Sequence, residues 1–392
     1  MATSHLRRVS LISIFLTLGF IMTDVQAQLK PGSPAEVGMS AERLQIASDL
    51  IAREISAAHI TAAAIIVARR ETVVLHQSFG KLVPGTDSPA VEPDSVFLLA
   101  SITKPVTAAA LMLLVERGEV SLEDRVQKYI PKFVGVDRDR VRVRHLLSHV
   151  SGMPDMLPEN IELRQAHTPL SGFVAKAATT PLLFKPTTDF HYQSKGVLLA
   201  AEIVERISGQ RLRDFEEKNI FAPLGMKHSA LGLGRFKIED TVWCGTEGPP
   251  GSAAAQRYGA NSPYWRDLGN PWGGMHSTTS DLAIFLQTML DGGQYADRRV
   301  FSPATVQSMT TDQNRGMNAP WGFGWALRDS RVWNFFGELC SSATFGHVGA
   351  TGTVAWADPE RDLLCVILTN QMLESGSFLR RVSNAVVASV VE

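Results

Sequence analysis

The stretch Ser101-Ile102-Thr103-Lys104 runs directly into Pro105-Val106-Thr107-Ala108-Ala109-Ala110-Leu111-Met112-Leu113-Leu114-Val115-Glu116. The second part is apolar on most faces, which predicts a buried helix rather than one lying on the surface. Pro105 is compatible with a first helical turn, where a missing N–H has no partner to lose. Residues three apart share a helix face, so Lys104 Nζ can reach Ser101 Oγ. The helix start also offers free backbone N–H groups and the positive end of the helix dipole, a setting that suits an oxyanion. A weak nucleophile and a potential base are thus predicted at the head of a central helix.

The same four-residue pattern occurs at Ser78-Phe79-Gly80-Lys81. That copy follows a strand-like run and contains a glycine, so it does not hold both groups on one rigid helix face. Only the rest of the chain separates the two.

Working outward, Ser40 is a plausible N-cap for a helix running to about Ile55, with Leu44, Ile46, Leu50, Ile51 and Ile55 at roughly helical spacing. Thr61 to Arg69 and Thr72 to Phe79 read as strands joined by a tight turn at Arg70-Glu71. The first is almost wholly apolar, as expected for a strand covered on both faces. Ser194 to Ile207 reads as an amphipathic helix ended by Gly209. From Cys244 to Gly274 the chain is rich in Gly, Pro, Trp and Tyr, and Tyr258, Tyr264, Trp265 and Trp272 predict an ordered aromatic wall over a pocket. Further strands are expected at Gly322 to Leu327, Thr353 to Trp356 and Leu363 to Thr369, then a helix from Phe378 to Val391. Strands at both ends with helices between predict an α/β (α+β) chain: a mostly antiparallel sheet flanked by helices, with an inserted helical domain. The expected division is 1–27 as a signal peptide, 28–100 with 270–392 as the sheet domain, and 101–269 as a mainly helical domain carrying active-site loops.

The 392 residues carry a formal net charge of −1 with no basic stripe, so nucleic-acid binding has no electrostatic support. His5, Arg7 and Arg8 precede the apolar run Val9 to Met22 and the small-x-small site Val25-Gln26-Ala27. This pattern predicts a cleaved signal peptide, a mature start near Gln28 and an exported protein, periplasmic or secreted. The apolar run is too short for a stable membrane span, and no later segment is long enough. Cys244, Cys340 and Cys365 lack metal-ligand spacing, Cys365 reads as a buried thiol, and Cys244–Cys340 is the only disulfide to consider. His145, His149, His228 and His276 also lack metal spacing and read as capping or packing groups, so no metal or cofactor is expected. Asp281 reads as a first-turn acid favoured by the helix dipole.

Two more stretches carry chemistry. In Phe190-His191-Tyr192-Gln193-Ser194, a Tyr and a Ser two apart at a helix start can both point into a cleft. A phenol near a cationic lysine loses its proton below its reference pKa. The plainer reading is a packed Tyr with Ser194 as a cap. In Gly346-His347-Val348-Gly349-Ala350-Thr351-Gly352, small residues let a substrate lie against a strand edge, and His347 offers a polar or cationic contact. The plainer reading is a Gly-rich hairpin.

The ordered set Ser-x-x-Lys, Tyr-x-Ser, His-x-Gly resembles the serine β-lactamase and penicillin-binding-protein superfamily. It is most similar to the class C-like branch, with its family VIII carboxylesterases and D-amino-acid-specific peptidases. Leu146 to Gly152, Pro223 to Met226 and Gly273 to Leu282 are similar to that branch too. The resemblance implies a β-lactamase/transpeptidase-like fold and a cofactor-free serine hydrolase working through an acyl-enzyme. By it, Ser101 is the nucleophile, Lys104 and Tyr192 handle its proton, and Tyr192 activates the deacylating water. Which of the two is the base stays open. The Ser101 and Ala350 N–H groups form the oxyanion hole, while Ser194, His347 and Gly349 meet the substrate. Ser194 stands where class C β-lactamases carry Asn, and His347 where they carry Lys. His is mostly neutral near pH 7, and both departures weaken the case for binding a β-lactam carboxylate. The resemblance with these departures implies a small ester or amide substrate, peptidoglycan fragments included, ahead of a true β-lactamase. A non-catalytic peptidoglycan-binding domain of the same fold is the competing class, and the intact Ser101, Lys104 and Tyr192 argue against it.

Overall fold

Every residue of Ala62–Arg69 is buried, and its side chains alternate between two cores. Ala62, Ala64, Ile66 and Ala68 face one apolar cluster, and Ala63, Ile65 and Val67 face the other. A strand buried on both sides is apolar at every position, which explains the uninterrupted run in the sequence. This strand lies inside a mixed sheet in a computed structural model that describes residues 28–85, 87–247 and 251–392. The signal-peptide expectation falls on residues 1–27 and lies outside the described residues.

The strands are β1 (Lys30–Pro31), β2 (Ala62–Arg69), β3 (Thr72–Gly80), β4 (Phe97–Leu98), β5 (Ala230–Leu231), β6 (Met275–Ser277), β7 (Gln294–Tyr295), β8 (Arg298–Arg299), β9 (Ala326–Leu327), β10 (Phe345–Gly349), β11 (Thr353–Asp358) and β12 (Leu363–Thr369). The main sheet has the order β1-β3-β2-β12-β11-β10-β9 and is antiparallel apart from the β1–β3 pair. Arg70 and Glu71 both take positive φ, +48° and +62°, as a two-residue hairpin turn requires. The sheet therefore joins the two ends of the chain, with Ile66 opposite Val366. β4, β6 and β5 form a small second sheet beside the nucleophile segment, and β7 pairs with β8.

Helices Ala41–Ser56 and Ser377–Ala388 pack together in the core on one sheet face. The other face carries helix Thr279–Leu290, and the same core continues into Thr103–Glu116 and Ser194–Ser208. From Thr103 to Leu114 every residue of the central helix is buried, as its all-round apolar character requires. The strand expected over 322–327 shrinks to Ala326–Leu327. Gly322 N–H bonds to the Trp325 carbonyl, and Gly324 takes φ +82° with its α-carbon packed close to Ala108. That segment is a turn docked on the central helix. The three cysteines are buried and free, so Cys244 and Cys340 form no disulfide. None of the described helices is long and apolar enough to cross a membrane.

Behind the central helix, Glu216 is completely buried. Its Oε1 lies 3.4 Å from Thr107 Oγ1, whose own hydrogen goes to the Pro271 carbonyl at 2.8 Å. Burial pushes the Glu216 pKa up to about 8, against a smaller opposing effect of the Thr107 hydroxyl, which points its hydrogen mainly at Pro271. An acid raised in the folded state contributes fully at low pH and loses stability as pH climbs from its ordinary range to that value. Glu216→Gln keeps a donor and removes the charge. Chemical denaturation is expected to show this variant gaining on wild type between pH 6 and 8, by up to about 1.4 kcal/mol per pH unit. A pH-independent difference would contradict a neutral Glu216.

Candidate active site

Ser101 sits in a short 3₁₀ turn, Ala100–Ile102, that leads into the central helix. Ala100 has φ +50°, a costly conformation for a residue with a Cβ, held from both sides. Thr103 Oγ1 donates to the Ala100 carbonyl at 2.7 Å and accepts the Met275 N–H at 3.0 Å. On the other side, Thr351 Oγ1 donates to the Leu98 carbonyl at 2.9 Å and Thr353 Oγ1 to the Leu99 carbonyl at 2.8 Å. The turn between β10 and β11 is thereby fastened to the backbone just ahead of the nucleophile. Gly349 makes the approach possible, since a Cβ there would come 2.0 Å from the Leu99 carbonyl oxygen. The β10 backbone thus reaches the site through its glycine, whose side facing Leu99 is filled by protein. Ala350 follows directly, and among the described residues its N–H has no hydrogen-bond acceptor.

Lys104 Nζ lies 2.8 Å from Ser101 Oγ and donates to the Trp272 carbonyl at 2.9 Å. The amine is 1% exposed, and burial pushes its pKa down to about 7, with Asp155 pulling weakly the other way. Nζ donates to the Trp272 carbonyl and faces Ser101 Oγ, so loss of one proton from the amine leaves a lone pair within reach of the hydroxyl.

Tyr192 joins Ser101 and Lys104 at the centre, in a way the sequence does not predict. Lys104 Nζ stands 4.7 Å from the centroid of the Tyr192 ring, over its face and not against the hydroxyl. Burial drives the phenol pKa well above its ordinary value, while Ser101 pulls it back less strongly. The expectation of a phenolate made by a cationic lysine is therefore corrected. The lysine sits over the ring, and Tyr192 keeps its proton at neutral pH.

His347 is fully buried on β10, and burial, followed by the charge of Lys104, pushes its pKa down to about 3. At neutral pH it offers an uncharged imidazole. The Ser194 hydroxyl does not point freely at a substrate. It donates to Asp155 Oδ1 at 2.6 Å, and its N–H donates to the same oxygen at 2.9 Å. Asp155 thus caps the Ser194–Ser208 helix and carries a negative charge at the cleft.

Several functional residues escaped the sequence reading. His149, read there as packing, lies 4.7 Å from both Tyr192, tilted against its ring, and Trp321, edge-on to it, and burial lowers its pKa well below the usual range. Trp321 lies between His149, Tyr192 and His347. His149 Nε2 and His347 Nε2 are buried without a hydrogen-bond partner among the described residues, and Tyr192 Oη beside them has Ser101 as its one polar neighbour, a concentration of under-used polar atoms that marks a site for substrate or water. Of the other bland histidine readings, His145 accepts the Arg142 N–H as a cap, and His276 is enclosed against Gly232 and Arg266. The Asp281 carboxylate accepts from His228 N–H and Ser229 Oγ, beyond the dipole role expected for it.

A cavity of about 760 Å³ opens beside Tyr192, walled by Phe190, Trp333 and Phe335, with Asp155 at one edge. This corrects the wall expected from residues 258–272. Trp272 lies beneath the lysines, and Tyr264 is taken up by stacking 4.6 Å from His167. Arg331 and Arg380 also line the cavity, and neither forms an ion pair among the described residues. The described residues contain no cluster able to hold a metal ion.

The chain belongs to the Beta-lactamase family, which matches residues 47–388. It is therefore one of the serine hydrolases of the β-lactamase and penicillin-binding-protein superfamily. It is 28% identical over 393 aligned residues to an Escherichia coli (strain K12) protein named "Putative D-alanyl-D-alanine carboxypeptidase", covering 91% of this chain and 90% of that protein. Its fold is similar to that of a penicillin-binding protein homologue from Caulobacter crescentus, with a TM-score of 0.75 and 23% identity over 90% of this chain and 99% of that one. It is also similar to a family VIII carboxylesterase, with a TM-score of 0.69 and 22% identity over 88% of this chain and 98% of the other.

Gly349→Ala tests how rigidly β10 meets the nucleophile turn. The added methyl must move backbone, and a misplacement near 1 Å is expected to slow acylation of Ser101 about a hundredfold. The check is the rate of labelling by a fluorophosphonate probe. An unimpaired variant would show that the two segments are not tightly coupled.

Proposed function

We propose that the protein is an exported serine hydrolase that cleaves small esters or amides through a Ser101 acyl-enzyme. The observation that carries this reading is the 2.8 Å contact between Ser101 Oγ and a buried lysine amine whose pKa is lowered to about 7. Neutral Lys104 takes the proton from Ser101 Oγ as that oxygen bonds to the substrate carbonyl carbon. The resulting oxyanion is held by the Ser101 and Ala350 N–H groups. Collapse of this intermediate breaks the bond to the leaving group, which takes a proton from Lys104, directly or through Tyr192. Water then repeats the sequence on the acyl-enzyme, with the same groups as base and acid.

A short neutral ester is the favoured substrate over a β-lactam. A β-lactam carries a carboxylate beside its reactive amide. Here the third motif supplies a neutral His347, and the second supplies a hydroxyl committed to the Asp155 carboxylate. Charge-assisted contacts are about twice as strong as neutral ones, so the missing cation matters. A second reading, an amide whose leaving group ends in a carboxylate as in the carboxypeptidase relatives' name, is favoured by Arg331 and Arg380 in the cavity wall. In that case Arg380→Ala lowers hydrolysis of a carboxylate-terminated substrate without affecting a neutral ester.

Four measurements test the proposal. Intact-mass spectrometry after fluorophosphonate treatment is expected to find one adduct, lost in Ser101→Ala; an adduct on Ser78 would remove the assignment. For p-nitrophenyl butyrate, kcat/KM is expected to rise with pH through about 7 as Lys104 loses its proton, and to exceed that for nitrocefin on the same preparation. Lys104→Met and Tyr192→Phe should each cost at least about a hundredfold in rate, and the double variant little more, because groups that act together are not additive. Export is tested by N-terminal sequencing, with a start near Gln28 expected.

A further inference from the structure

Lys195 has no part in the steps above, yet its amine is buried as deeply as that of Lys104. Its Nζ has no hydrogen-bond partner among the described residues and lies 3.4 Å from the centroid of the Trp272 ring, with the Phe173 ring centroid at 5.7 Å. The same Trp272 presents its carbonyl to Lys104 Nζ at 2.9 Å. One residue thus meets both amines, the first on its ring and the second on its backbone. The face of an indole attracts a cation, and more strongly where water is excluded. A neutral amine gains much less there. Lys104 also stands over a ring, but at 4.7 Å from a phenol centroid against 3.4 Å from an indole for Lys195, so the ring faces favour the ammonium at Lys195.

The charges around the pair point the same way. From the loop after His149, Asp155 is the one carboxylate acting on both lysines. His149, His347 and His145 are uncharged at neutral pH, Tyr192 keeps its proton, and Glu216 behind the helices is held protonated. One negative charge facing two buried amines balances one proton, because a second buried charge without a partner is strongly disfavoured. We infer that Lys195 is a positioning residue that holds this proton on the face of Trp272 and so keeps Lys104 free to accept the proton of Ser101. Burial lowers both lysines to about 7, Asp155 raises each, and the two amines repel as cations, so a proton held on one disfavours a proton on the other. When Ser101 gives its proton to Lys104, two ammonium groups briefly face one carboxylate. Their repulsion then favours passing the Lys104 proton to the leaving group. Lys195 exchanges no proton in the cycle.

The inference rests on Lys104 being the base, and its test separates the two claims. The second-order rate constant for fluorophosphonate labelling of Ser101 is measured from pH 5 to 10 in wild type, Lys195→Met and Lys195→Arg. Wild type is expected to rise with a midpoint near 7, the Lys104 value. Without the neighbouring charge, Lys104 holds its proton to higher pH. The Met variant is therefore expected to shift its midpoint upward by about one unit, which slows labelling about tenfold at pH 6. The Arg variant, still cationic, is expected to stay near wild type. A Met variant with the wild-type midpoint overturns the inference whatever its plateau, since a packing role lowers the rate without moving the midpoint. Equal shifts in Met and Arg overturn it as well. Wild type that does not label Ser101 at any pH defeats the proposed hydrolase itself.

Discussion

The site depends on keeping a primary amine out of water. Lys104 is 1% exposed, with Ser101 on one side and the Trp272 carbonyl on the other. In water such an amine would be protonated almost all the time near pH 7 and useless as a base. Burial changes this by making the charged form costly, and only a thoroughly packed surrounding achieves it. The central helix is apolar all round for that reason, and the turn at Gly322–Trp325 closes over it. Burial also raises the Tyr192 phenol and lowers His347 and His149, so the condition that brings Lys104 down to about 7 also keeps these three neutral.

What could be read from the sequence was local or periodic. Ser101 and Lys104 are three apart at a helix start, so their contact follows from helix geometry alone. The β2–β3 hairpin followed from an apolar run, a two-residue turn and a second strand-like run, and it forms with the expected turn. The serine hydrolase superfamily was legible from three motifs in order. The side on which Lys104 approaches Tyr192 was not legible, because it is set by packing between separate helices, and the phenolate expectation failed there. Asp155 gave no signal, since a single acid in a loop is common and its partner Ser194 lies on a different element. The aromatics of residues 258–272 were plausible wall material by composition. The cavity is walled instead by Phe190, Trp333 and Phe335, brought together only by the fold.

The second and third motifs share a property that their residue types alone do not reveal. Ser194 and His347 both stand close to the nucleophile, and both are turned toward the protein. The serine is committed to Asp155, and His347 Nδ1 lies within hydrogen-bond distance of the Val348 backbone. The cavity beside Tyr192 presents one carboxylate, Asp155, and two guanidinium groups, Arg331 and Arg380. The imidazole Nε2 is itself fully buried and without a partner among the described residues.

The sheet order has a consequence for the making of the protein. β2 and β3 pair as soon as both exist, but β2 acquires its other neighbour only with β12, Ile66 opposite Val366. The Leu98 and Leu99 carbonyls ahead of Ser101 likewise wait for Thr351 and Thr353. A growing chain that already contains Ser101, Lys104 and Tyr192 therefore still lacks the β10 edge that is fastened to the backbone ahead of Ser101. Contacts so distant in sequence form slowly, because a long loop must be closed before they are made. The nucleophile stays without its full machinery until nearly the whole chain has been synthesised and has folded back on its beginning.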